Sequence, residues 1–164
     1  MSEARFLTET SLELLARRLR ILGHDVETVP GARLEALLEV ARRSRRIALT
    51  TSSRHPRRFA DVPAIVVPRD AAAAVRQLDS YEPAGPPFSR CASCNAMIEV
   101  RPSSEAIGHA PESIVLAFDR LARCPRCRKW YWHGSHVDRL RAWLEAALGR
   151  TIVPPASPTE PHEG

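Results

Sequence analysis

Four cysteines occur in this 164-residue chain, all between positions 91 and 127, as two Cys-x-x-Cys pairs separated by 29 residues. Cys91 with Cys94, and Cys124 with Cys127, can each set two thiolates on one tight knuckle. Two knuckles complete the closed tetrahedral shell of a structural zinc. Four thiolates leave no open coordination position, so such a metal holds structure and does no chemistry. An iron–sulfur cluster and redox thiols are the other uses of the pattern. The start, MSEARFLTE, shows no export signal, which argues against disulfides and for a metal. A structural zinc can contribute roughly 10 to 16 kcal/mol of apparent binding energy to a module with little core.

Around the second knuckle the chain reads ARCPRCRKWYWHGSH over 122–136. Arg123, Arg126, Arg128 and Lys129 stand beside Trp130, Tyr131 and Trp132, with His133 and His136 just beyond. Cations for phosphates next to flat rings for base stacking are the ingredients of single-stranded nucleic-acid binding. Arg126, Arg128, Lys129, Trp132 and His136 are the candidates for it. The rings also have a structural use: in a strand Trp130 and Trp132 share one face and can fill a small ribbon's core. The net charge of +5 is almost all arginine, Lys129 being the only lysine, and the isoelectric point is near 9.6. That balance suits a polyanionic partner such as RNA, and equally serves solubility.

The elements that must position these residues are legible upstream. ARFLTE (4–9) reads as a strand, and TSLE (10–13) as a capping box opening a helix. Leu12, Leu15, Leu19 and Leu22 keep helical spacing, and Gly23 ends the run. HDVETV (24–29) is a second strand. A second helix covers about 33–45, with Leu34, Leu37, Leu38 and Ala41 on one stripe. RIALTT (46–51) and PAIVVP (63–68) are further strands, and Asp70 caps a helix to about Leu78. This alternation predicts an α/β fold: a mostly parallel sheet with helices packed on its faces, followed by a small zinc-ribbon module. Residues 1–80 form the first domain and the proline-rich 81–88 a linker. The ribbon with its C-terminal helix takes 89–150, and 151–164 is a disordered tail. No window approaches the roughly 18 apolar residues of a membrane span, so the expected location is cytoplasmic.

The stretch IALTTSSRHP (47–56) ends a strand in hydroxyls and then arginine, with no carboxylate. Loops at the carboxyl ends of parallel strands are where ligands and catalytic groups sit, so this loop bears on whether the chain is an enzyme.

FLTETSLELLARRLRILGHDV (6–26), RIALTT (46–51) and the paired cysteines closing with YWHGSH (131–136) together resemble a known family. It is the ribonuclease domain family named for the C-terminal domain of the Mut-seven exonuclease, a PIN-like nuclease fold joined to a zinc ribbon. The likeness spans about residues 5 to 143. It implies a metal-dependent ribonuclease whose acids at the strand ends hold magnesium or manganese and activate a water for in-line attack on phosphate. The first family acid, an aspartate ending strand one, corresponds to Glu9. Acids at the start of the second helix correspond to Glu35, which with Glu39 also reads as a solvated pair on the outer side of that helix. A later Leu-Thr-Arg-Asp pattern corresponds to Leu49, Thr50, Thr51 and Ser52, so a hydroxyl stands where the family has a carboxylate. Asp25 matches a turn position; Asp61 and Asp70 can reach the same sheet edge. Arg54, Arg57 and Arg58 stand where the metal's charge would have been.

Three functions follow. The chain is a ribonuclease with an altered acid site built on Glu9, Glu35 and Asp61; or an RNA-binding protein that keeps the fold and the basic ribbon without cleaving; or an adaptor whose ribbon binds another protein.

Overall fold

Parallel strands cannot be joined by tight turns, so a chain that alternates strand and helix builds its sheet through crossovers. In a computed structural model, which describes residues 3–31 and 33–154, four strands do this. They are β1 (Arg5–Glu9), β2 (Asp25–Val29), β3 (Ile47–Thr50) and β4 (Ala64–Val66), all parallel in the order β2-β1-β3-β4. Phe6 lies beside Val26 on one side and Ile47 on the other. The carboxyl ends Glu9, Val29, Thr50 and Val66 therefore emerge at one end of the sheet, and Asp25 and Arg46 mark the other.

Side chains alternate across the sheet with period two. Phe6 and Leu49 pack with Leu15 and Leu19 of α1 (Glu13–Ile21) and with Val75 and Leu78 of α3 (Ala71–Leu78). Leu7 and Ala48 pack on the opposite face with Leu37, Leu38 and Ala41 of α2 (Leu34–Ser44). Helices thus cover both faces, and the apolar stripes of α1 and α2 are the ones their spacing implies. Asp70 caps α3, its carboxylate accepting the Ala73 amide at 2.8 Å.

The capping box expected at Thr10 to Glu13 does not form. Thr10–Leu12 make a 3-10 turn, and α1 begins at Glu13 without a side-chain cap. Glu13 is drawn away by Arg17 and Arg20, at 3.4 and 3.1 Å, and the Thr10 hydroxyl accepts instead from the Gly31 amide.

The stretch expected to be a linker is packed. Tyr81 meets Phe6 edge to face with ring centroids 5.5 Å apart, and the Phe88 amide donates to the Ile21 carbonyl at 2.7 Å. Gly23 makes the close passage possible: its φ is +95°, and a Cβ there would lie 2.0 Å from the Gly85 carbonyl oxygen.

The ribbon follows as an antiparallel sheet of β5 (Glu99–Pro102), β6 (Arg120–Arg123) and β7 (Trp130–Tyr131), with β6 central. A 3-10 turn and α4 (Glu112–Ala117) lie between β5 and β6. Ala106, Phe118, Leu121 and Trp130 form its small core. The helix expected to close the ribbon, α5 (Ser135–Leu148), joins the first core instead. Leu144 is buried with Phe6, Leu19 and Val75, and Leu140, Trp143 and Leu148 pack beside it. That stripe is broader than a ribbon core of four residues can cover. Ile152, placed in the expected disordered tail, is buried in the same core, and its amide donates to Glu145 at 3.0 Å. Residues 155–164 of that expectation lie outside the described residues. Among the described residues no helix is long and apolar enough to cross a membrane.

Candidate metal centre and nucleic-acid interface

The two cysteine pairs fold into matching knuckles. The Cys91 amide donates to the Ala96 carbonyl and the Asn95 amide to the Cys91 carbonyl, at 2.8 and 2.9 Å. In the second knuckle the Cys124 amide donates to Lys129 and the Arg128 amide to Cys124, both at 2.9 Å. Each turn closes on a residue of positive φ, Asn95 at 69° and Arg128 at 63°. The four sulfurs lie within 4.8 Å of one another, and none is in a disulfide.

Against its burial, the Tyr131 hydroxyl 3.0 Å away and the knuckle amides draw the Cys91 thiol down to about 7. Burial and then the neighbouring sulfurs push the Cys94 thiol up to about 12. Four sulfurs this close ionise together only around a cation, and a tetrahedral thiolate set is what a ribbon metal requires. All four predicted metal ligands are therefore brought together.

The first knuckle is fastened to the open edge of β2. Asn95 accepts the Val26 amide at 3.0 Å on its side-chain oxygen, and its side-chain nitrogen donates to Asp25 at 2.6 Å and Glu27 at 3.1 Å. Arg20, 2% exposed, donates to the Val26 carbonyl, the Thr28 hydroxyl and the Ala92 carbonyl, each at 2.8 Å. An edge strand that would otherwise offer unpaired groups is thus covered. Asp25 also takes a fork from Arg46 at 2.7 and 3.2 Å. Although burial works the other way, the hydrogen bonds from Arg46 and Asn95 hold its carboxyl below the usual range. Asp25 is thus a joint residue at the amino end of the sheet. Arg20 and Asn95 were missed in the sequence reading. The one available signal was Asn95, a residue that tolerates positive φ, directly after a Cys-x-x-Cys knuckle.

At the carboxyl end the hydroxyls build a turn. The Thr50 hydroxyl accepts the Ser52 amide at 3.0 Å, and the Ser52 hydroxyl accepts the Arg54 amide at 3.2 Å. Glu9 is half-buried at the end of β1, its carboxylate accepting from Ser11 at 2.8 Å. Glu35 is exposed and ion-paired with Arg58, and Asp61 is held by Arg42 at 2.7 Å. Asp70 is committed to its cap. Among the described residues the four cysteines are the only group of three or more such ligands whose donor atoms converge; Glu9, Glu35 and Asp61 form none.

The candidate RNA contacts separate into two groups. Arg54, Arg57 and Arg58 are exposed on the loop and 3-10 turn after β3. Lys129, Trp132 and His136 line one groove on the ribbon, with Trp132 edge-on to His136 at 6.2 Å. Trp130 is the ribbon's core aromatic, and Trp132 is half-exposed. Arg126 belongs to the joint, donating to the Cys94 carbonyl at 2.9 Å. Arg128 is exposed at the knuckle's positive-φ position.

Fold and site define a class: a parallel α/β sheet flanked by helices and fastened to a four-cysteine ribbon. Residues 4–144 match the family model described as the Mut7-C RNAse domain. The chain belongs to that family. Neither the curated proteins nor the solved structures compared with it gave a match.

Proposed function

We propose that this family member binds single-stranded RNA, holds zinc in its four-cysteine cluster for structure, and has a degenerate acid site at the carboxyl end of its sheet. One observation carries the reading. The position where the family pattern places a carboxylate is Ser52, whose hydroxyl caps the Arg54 amide, while Glu35 is spent on Arg58. A neutral hydroxyl cannot offset a divalent metal's charge, and the exposed Arg54, Arg57 and Arg58 offer positive charge in its place. Arginine at such a site suits a phosphate chain that is held rather than cut.

The test uses full-length, zinc-loaded protein and labelled single-stranded RNA, with and without manganese. Binding that weakens steeply with salt, without cleavage, supports the reading. Manganese-dependent cleavage abolished by Glu9→Ala would replace it with a ribonuclease that works through the surviving acid. Failure to bind RNA at low salt would leave the ribbon as a protein adaptor.

A further inference from the structure

Between the ribbon and α5 lies a groove of about 590 Å³, within the range of roughly 300 to 1,000 Å³ typical of small-ligand sites. Its lining is mainly apolar. Met97 and Val100 on its wall are 50% and 40% exposed, an apolar surface of the kind that marks an interaction site. Tyr131 and Trp132 contribute rings. Among the described residues no aspartate or glutamate lines it, whereas Arg90, Lys129, Arg141, His133 and His136 all do.

The basic side chains divide into two kinds. Asp138, outside the lining, holds His133 at 3.0 Å and Arg141 at 3.4 Å. Lys129 and His136 have no ionic partner among the described residues; the Lys129 ammonium lies 5.6 Å from the Tyr131 ring, and His136 stands against Trp132. Arg90 spends one nitrogen on the Asn95 carbonyl at 3.0 Å and keeps a buried Nε with no hydrogen-bond partner among the described residues.

We propose that this groove is a nucleobase-binding site for single-stranded RNA, separate from the arginines at the carboxyl end of the sheet. A nucleotide joins a flat ring with apolar faces to an anion, and the groove joins half-exposed rings and apolar walls to the Lys129 ammonium and the His136 imidazole, neither with an ionic partner among the described residues. An unstacked base enters beside Trp132 and Tyr131, and the adjoining phosphates meet Lys129 and His136. Duplex RNA buries its base faces in stacking and cannot use such a groove. The inference rests on the RNA-binding reading above and adds a second contact to it.

Fluorescence anisotropy with a short labelled oligouridylate, on full-length zinc-loaded protein, tests the proposal. Trp132→Ala should weaken binding roughly ten- to hundredfold, the usual scale for losing a stacked base, and Trp132→Phe should restore most of it. Met97→Glu, at an exposed position, should weaken binding through an acid placed in the groove; zinc content checks that each variant is folded. If Trp132→Ala and Met97→Glu bind as the parent does while an Arg54, Arg57 and Arg58 to Gln variant is weakened, the groove is not an RNA site and the RNA-binding function stands. If the parent itself binds no RNA at low salt, both fall, and a peptide becomes the candidate occupant.

Discussion

At the amino end of the sheet, Asp25 and Arg46 are 13% and 11% exposed, and Asn95 completes their network from the ribbon. At the carboxyl end, Glu35 and Arg58 are 56% and 63% exposed, and Asp61 and Arg42 pair in the open. A buried pair is committed, because removing one partner strands the other away from water. An exposed pair is worth little and can be exchanged for a ligand's charge. The amino end is therefore a joint between sheet and ribbon, and the carboxyl end is free to meet a polyanion. The concentration of buried charge marks architecture in this molecule, at the amino end of the sheet.

Metal removal tests the joint most severely. Structural zinc can supply roughly 10 to 16 kcal/mol of apparent binding energy, comparable to the whole stability of an ordinary domain, about 5 to 15 kcal/mol. Treatment with a zinc chelator, or Cys94→Ser, should unfold the ribbon and also expose β2, because Asn95 no longer covers the Val26 amide. Hydrogen exchange reads this directly. If Val26 stays protected after the metal is lost, the knuckle is a passenger and the two ends of the sheet differ little.

The next largest effect is Asp25→Ala, expected to cost about 2 to 3 kcal/mol because the largely buried Arg46 loses its carboxylate and keeps only the Phe6 carbonyl at 3.1 Å. Urea denaturation measures it, and a loss below about 1 kcal/mol would place Asp25 with the exposed acids. His24, beside it, adds a pH signature. The imidazole is 2% exposed, and burial, opposed by Asp79 and assisted by Arg150, pushes its pKa from 6.5 down to about 4. The unfolded chain therefore takes up a proton that the folded one refuses. Stability is complete above about pH 6.5 and falls by about 1.4 kcal/mol per pH unit towards pH 4, about 3 kcal/mol in all. His24→Leu should flatten that slope between about pH 7 and 5.5, with zinc retained; an unchanged slope would assign the acid sensitivity elsewhere.

Much of this was legible in the chain itself. The strand and helix order follows from apolar period, and the metal site from cysteine spacing, because both are local patterns read on a short window. The joint was not legible: Arg20 reaches the Ala92 carbonyl and Asn95 reaches Val26 across about seventy residues of sequence, and no local pattern records that pairing. The same holds for α5. The helix itself was expected, but whether it packed on the ribbon or on α3 depended on which surface had room, and four core residues in the ribbon did not. At the carboxyl end the run of hydroxyls after β3 was readable, while the pairing of Glu35 with Arg58 was not.

The smallest stability effect is the most informative about function. Glu35→Ala removes one partner of a pair more than half exposed, so stability should change by no more than about 1 kcal/mol. The same change frees Arg58, on the same loop and 3-10 turn as Arg54 and Arg57, so RNA should bind a few-fold tighter, with a steeper dependence on salt. The two readouts pull apart only if the carboxyl end is an interface and not a joint. Urea denaturation and RNA anisotropy on the one variant decide it. A destabilisation as large as that of Asp25→Ala would make Glu35 architectural, and unaltered RNA affinity would move the RNA away from this end of the sheet.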